Sequence, residues 1–105
     1  MKLIRDKVPE LAAAKGEQLR TRLAGPEERW QLLRLKLIEE ARELSATQPG
    51  SEAEVEELVD VIEVMRRLCD DIELSEPGKI HEAYEKKLQE RGELGFVVIL
   101  EEGDK

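Results

Sequence analysis

Apolar residues recur at helical spacing along most of this chain. From Gly25-Pro26-Glu27-Glu28, a helix start with acids in its first turn, Trp30, Leu33, Leu37, Ala41 and Leu44 fall on one stripe. Ser51-Glu52-Ala53-Glu54 has the form of a capping box, in which the Ser51 hydroxyl accepts from the Glu54 amide and Glu54 reaches back. It opens a second long helix, expected to run to about Asp71, with Val55, Leu58, Ile62, Met65 and Cys69 as its core stripe. The turn residues from Ser45 to Ser51 are enough for this helix to fold back antiparallel on the first. Ser75-Glu76-Pro77-Gly78 breaks the chain and starts a third helix, expected to end at Arg91, with Ile80, Tyr84, Lys87, Leu88 and Arg91 on one face.

The two ends read differently. Residues 1–9 are charged and end at Pro9, which disfavours helix at Val8, so an extended arm tied down by Leu3, Ile4 and Val8 is expected. Pro9 then opens a short helix from Glu10 to Lys15, which Gly16 ends. Glu17 to Leu23, with Leu19 and Leu23 inward, fits a strand or a loose helix equally well. Phe96-Val97-Val98-Ile99-Leu100 is β-branched and aromatic and reads as a strand, to be paired with residues 17–23 or with the arm. Glu101 to Lys105 reads as a solvated tail. The fold class is therefore mainly α, in one domain spanning residues 1–105: two long antiparallel helices, a third helix and a small C-terminal β element.

Composition narrows this picture. A chain of 105 residues with three aromatics (Trp30, Tyr84, Phe96) builds only a modest core. Yet Leu58 to Met65 is apolar on more than one face of its helix and wants cover on both sides. A homo-oligomer is expected, most simply a dimer with a four-helix core, with a tetramer left open. A net charge of −8 and the lack of a basic block argue against a nucleic-acid polymer as partner. The single cysteine excludes an intrachain disulfide. The N-terminus lacks the apolar region of a signal peptide, and the longest uncharged apolar run, Leu94 to Leu100, is too short for a bilayer, so a cytoplasmic protein without membrane association is expected.

The chemistry lies in the acids. Glu40 with Glu43, and Glu57 with Asp60, are i, i+3 pairs, about 60° apart around a helix axis, so each pair shares a face. In an antiparallel hairpin the two pairs face each other, and four hard oxygen donors in one place suit Mg²⁺, with Mn²⁺ as a substitute. Two carboxylates about 4 Å apart repel by about 4 kcal/mol at an effective dielectric of about 20, so converging acids raise their own pKa values or demand a cation. Acid-rich helices are ordinarily solvated surfaces. Here, however, Glu57 and Asp60 run on into Val61, Val64 and Leu68, which a merely solvated face would not do. Lys36 shares a face with Glu40 and Glu43, and Lys87 and Arg91 project from the same side of the third helix as Ile80 and Leu88, either snorkelling past the core edge or forming a phosphate clamp. Lone His81 reads as surface, and Trp30 as core.

Taken together, Glu39-Glu40-Ala41-Arg42-Glu43 followed by Glu57-Leu58-Val59-Asp60 resembles the signature of the all-α nucleoside triphosphate pyrophosphohydrolases, the MazG-like superfamily. The opening Lys2-Leu3-Ile4-Arg5-Asp6-Lys7-Val8-Pro9 and the closing Lys87-Leu88-Gln89-Glu90-Arg91-Gly92 are similar to those of one branch of predicted phosphohydrolases. The chain departs from that branch in reaching Phe96 through Glu93-Leu94-Gly95 instead of directly after Gly92. The resemblance implies Glu40, Glu43, Glu57 and Asp60 as Mg²⁺ ligands and Glu39 as the base or an outer carboxylate. It implies Lys87 and Arg91 on the triphosphate, and Arg5, Asp6 and Lys7 near the nucleotide; Lys36, on the face of Glu40 and Glu43, is a further substrate-binding candidate.

The implied reaction is hydrolysis between the α- and β-phosphates of a nucleoside triphosphate, releasing the monophosphate and pyrophosphate, in nucleotide-pool house-cleaning. Two rival readings stand beside it. One is phosphoribosyl-ATP pyrophosphohydrolase of histidine synthesis, against which the opening octapeptide speaks; the other is a catalytically idle helical dimer that binds a nucleotide or a protein. The chain has no glycine-rich phosphate loop and no Ser/Cys-His arrangement, which excludes the usual kinase and GTPase designs and makes a covalent nucleophile unexpected.

Overall fold

The computed structural model describes residues 2–101, and every regular element among them is a helix: α1 (Val8–Ala14), α2 (Pro26–Ser45), α3 (Glu52–Ser75) and α4 (Lys79–Arg91). The chain divides into two compact units, one ending at Leu68 and the other beginning at Cys69, with α3 running from the first into the second.

In the first unit, α1 begins at Val8, earlier than the sequence suggests, because Pro9 sits in the first turn, where its missing N–H would have had no partner anyway. The extended arm is thus confined to the residues before the Arg5–Val8 turn, in which the Val8 amide donates to the Arg5 carbonyl at 3.1 Å. At the other end of α1, Gly16 adopts φ +86°, and the amides of Gly16 and Glu17 close on the carbonyls of Ala13 and Ala12, a Schellman ending that needs a left-handed residue. Residues 17–25 form neither strand nor helix, and Leu23 is exposed instead of turned inward. What ties this stretch down is polar: Arg22 grips Glu28 through two bonds of 2.7 and 2.6 Å, while Glu28 also accepts from the Gly25 amide.

Helix α3 starts where the capping pattern puts it. The Glu54 amide donates to the Ser51 hydroxyl at 3.1 Å, but the Glu54 carboxylate reaches one residue further back, to the amide of Gly50. The helix continues four residues beyond Asp71, since Ile72 to Ser75 hold nothing that stops a helix before Pro77. Acids and apolar residues of α2 and α3 meet in opposite chain order: Glu40 lies with Glu57 and Asp60, while Leu33 and Lys36 share a cavity wall with Val64 and Arg67. That is the order of an antiparallel pair.

Of the two stripes read on α3, the one that runs from the acids into Val64 and Leu68 is the one turned inward, and the Val55–Leu58–Ile62–Met65 stripe is not. Among the described residues only Leu33 and Val64, each 6% exposed, are buried apolar residues, joined by Glu40 at 5%. Helix α3 turns Glu57, Asp60, Val61, Val64 and Leu68 inward, whereas Val55, Leu58, Ile62 and Met65 are left 42–59% exposed. Trp30, expected in the core, is exposed and stacks under the Arg34 guanidinium, 3.8 Å from the ring centre.

In the second unit, α4 spans Lys79 to Arg91 with Ile80 and Leu88 half-buried and Tyr84, His81, Lys87 and Arg91 exposed. The strand expected at 96–100 is not formed: Val97 sits at φ +49°, outside the β region, Phe96 is 96% exposed, and no strand lies among the described residues to pair with it. The tail residues 102–105 lie outside the described residues. No helix of the described residues is long and apolar enough to cross a membrane.

Because Leu33 is one of only two buried apolar residues among those described, Leu33→Ala should cost about 2–4 kcal/mol in denaturant unfolding, against about 0.5 kcal/mol or less for Leu74→Ala at an 85% exposed position. Equal losses at the two positions would show that the α2–α3 seam is not the core.

Candidate functional site

The seam that buries Leu33 and Val64 also gathers the acids. Carboxylate oxygens of Glu40, Glu57 and Asp60 lie within 4.8 Å of one another, as do those of Glu39, Glu40 and Glu43. Glu40 belongs to both groups and is the hinge between them. The first group is the more enclosed, with Glu40 buried and Glu57 and Asp60 half-buried, whereas Glu39 and Glu43 are exposed. Helical spacing explains the convergence: Glu40 lies one turn beyond Lys36 and two beyond Leu33 on the inward face of α2, and Asp60 lies one turn before Val64 on α3.

Enclosure leaves these oxygens short of partners. Oε1 of Glu40 lies 3.2 Å from the Lys36 ammonium, but its Oε2 and Oε2 of Glu57 are buried with no hydrogen-bond partner among the described residues. Burying a carboxylate oxygen without a donor or cation is costly, and the energy shows in the proton affinity. Glu57 is pushed up to about 7, first by desolvation, then by the negative charge of Glu43 and by Glu40. Asp60 has found a cation within the chain, since Nη2 of Arg5 donates to its Oδ1 at 2.7 Å. That contact, with Glu63 and Glu40 behind it, raises the Arg5 guanidinium above its ordinary value.

The predicted residues of the first unit therefore assemble in part. Glu40, Glu57 and Asp60 form one set, Glu43 reaches it through Glu57, and Glu39 stands beside Glu40 with its carboxylate 4.0 Å from Lys36. Arg5, Asp6, Lys7 and Lys36 line a cavity of about 850 Å³ whose wall also contains Glu40 and Asp60. Lys87 and Arg91 belong to the second unit, both exposed on α4. Residues that the sequence reading passed over also line the cavity: Lys2, Arg29, Glu63 and Arg67. Their signal was available, because Arg29, Leu33, Lys36 and Glu40 follow one another at spacings of four, three and four, the inward stripe of α2.

A set of hard, mutually repelling oxygen donors with two orphaned buried oxygens fits a small divalent cation, Mg²⁺ or Mn²⁺, and offers nothing to a soft metal. Comparison with protein-family models, with curated protein sequences and with solved structures finds no match to this chain.

The raised Glu57 has a definite sign in pH. Between its ordinary value near 4.5 and about 7 the folded chain holds a proton that the unfolded chain has released, so this group's stabilising contribution is full below that range and is lost as the pH rises through it. Glu28, lowered to about 2 by Arg22 and the Gly25 amide, acts only below pH 4.5 and leaves the window clear. In metal-free buffer Glu57→Gln should match the parent chain's melting temperature at pH 4.5 and exceed it increasingly towards pH 8. A gap that stays constant with pH would place the titration elsewhere.

Proposed function

We propose that this chain is a Mg²⁺-dependent nucleoside triphosphate pyrophosphohydrolase of the MazG-like, all-α kind, cutting between the α- and β-phosphates. The observation that carries the reading is the carboxylate of Glu40, 5% exposed, with an oxygen that has no partner among the described residues, at the point where Glu57 and Asp60 converge on it. Glu40, Glu57 and Asp60, with Glu43, would hold the cation, which when bound would neutralise phosphate charge and polarise a water. Glu39, exposed beside this set, would take the proton of the attacking water as its oxygen bonds to the α-phosphorus. The bond to the bridging oxygen breaks, and pyrophosphate leaves with that oxygen. Lys36, near both Glu39 and Glu40, would stabilise charge growing on the phosphates.

A homodimer belongs to the same proposal. Val55, Leu58, Val59, Ile62 and Met65 on α3, and Leu35 and Ile38 on α2, are half or more exposed in many cases and too numerous for a monomer's surface. A second copy laid on them would complete a four-helix core. Ile62→Glu combined with Met65→Glu should then halve the mass measured by light scattering at unchanged helix content; an unchanged mass would remove this surface from the assembly.

With Mg²⁺ present, the purified chain should release pyrophosphate from at least one member of a panel of nucleoside triphosphates, and Glu57→Gln should lower the rate at least about a hundredfold, as loss of a ligand to a catalytic ion does. Orthophosphate as first product would show that another bond is cut. No turnover across the panel would favour an idle helical dimer.

A further inference from the structure

The cavity of about 850 Å³ in the first unit has a chemistry that the acid cluster alone does not explain. Six of its lining residues, Lys2, Arg5, Lys7, Arg29, Lys36 and Arg67, are cationic. Its size is that of a small-ligand pocket, and four acids, Asp6, Glu40, Asp60 and Glu63, share the wall with these cations, leaving a positive surplus; Glu40 and Asp60 belong to the carboxylate set. Arg5 spans the two. Its backbone lies between the half-buried Leu3 and Val8, while its side chain is 56% exposed and ends on Asp60.

We propose that this cavity is a phosphate-binding site latched by Arg5, whose guanidinium rests on Asp60 until the carboxylates are neutralised by a divalent cation and then turns to the phosphate. The inference rests on the reading of Glu40, Glu57 and Asp60 as cation ligands, and it names the phosphate chain of the substrate as the cavity's occupant. Among the described residues Arg5 donates to Asp60, and Glu40, a member of the same set, also attracts the guanidinium. Arg5 is thus a counter-cation supplied by the chain to the place where a divalent ion would go. Two cations on one carboxylate repel, so Arg5 weakens binding of the ion, and the ion weakens the hold on Arg5 to the same extent. Released, the guanidinium offers paired N–H donors that match phosphate oxygens. The orphaned oxygen of Glu40 supplies the independent reason to place a cation there, since the Arg5 contact leaves it unsatisfied.

Calorimetric titration of Mg²⁺ into the full chain and into Arg5→Ala, together with ³¹P NMR of inorganic phosphate as the probe, tests this. Arg5→Ala should bind Mg²⁺ about two- to fivefold more tightly, the factor expected for loss of a largely exposed ion pair. The parent chain should bind phosphate only with Mg²⁺ present, and Arg5→Ala should bind it weakly in either case. Phosphate binding by the parent chain that is indifferent to Mg²⁺ overturns the latch without any variant, so the test survives a variant that fails to fold. Weaker or unchanged Mg²⁺ binding by Arg5→Ala overturns it too, while leaving the metal reading intact. Absence of Mg²⁺ binding in both proteins overturns the metal reading and the latch together.

Discussion

The burial of one carboxylate organises this molecule. Glu40 occupies a position on α2 where helical spacing would otherwise put a third leucine-like residue, and it is as enclosed as Leu33 and Val64. A chain with so few buried apolar side chains gains little by hiding a charge. Lys36 meets one oxygen of that carboxylate and nothing described meets the other. The neighbours deepen the problem: the Glu57 carboxyl on α3 is pushed up to about 7, first by desolvation and then by Glu43 and Glu40. The seam is thus held at a cost in stability, the pattern expected where a fold keeps polar groups for chemistry.

Much of this was legible from residue spacing. Pro26, Ser51 and the Glu76-Pro77-Gly78 break fix three helix starts because each supplies local chemistry that needs no tertiary context. The convergence of Glu40, Glu57 and Asp60 followed from i, i+3 pairing and a short connection. The face of α3 that carries Glu57, Asp60, Val64 and Leu68 was legible as a buried one, but the exposure of the Val55–Leu58–Ile62–Met65 stripe was not. Hydropathy favours Val55, Leu58, Ile62 and Met65, yet the chain buries the face that carries Glu57, Asp60 and Val64. Both faces are apolar enough to be covered, and sequence periodicity does not say that one of them goes without cover in this chain. The strand expected at 96–100 failed for a related reason. Its propensity is real, but a strand is a property of two segments, and Val97 at φ +49° is turned away from pairing.

The N-terminal arm shows how charge can do what hydrophobicity cannot in so small a core. Ile4 is 42% exposed and Leu3 only half-buried, so the arm is poorly anchored by apolar contact. Its specific tether is Arg5 on Asp60, a bond between the start of the chain and the middle of α3. Exposed ion pairs of this kind are weak and easily exchanged. Weakness suits a tether that ends on a group with another use.

A divalent cation held by the carboxylates at the α2–α3 seam is the proposal on which the enzymatic reading rests. Its most direct test is the melting temperature of the metal-free chain, followed as Mg²⁺ is added against NaCl of matched ionic strength. A rise with Mg²⁺ that NaCl does not reproduce, and that Glu40→Gln abolishes, is the predicted result. Identical responses to the two salts would contradict it.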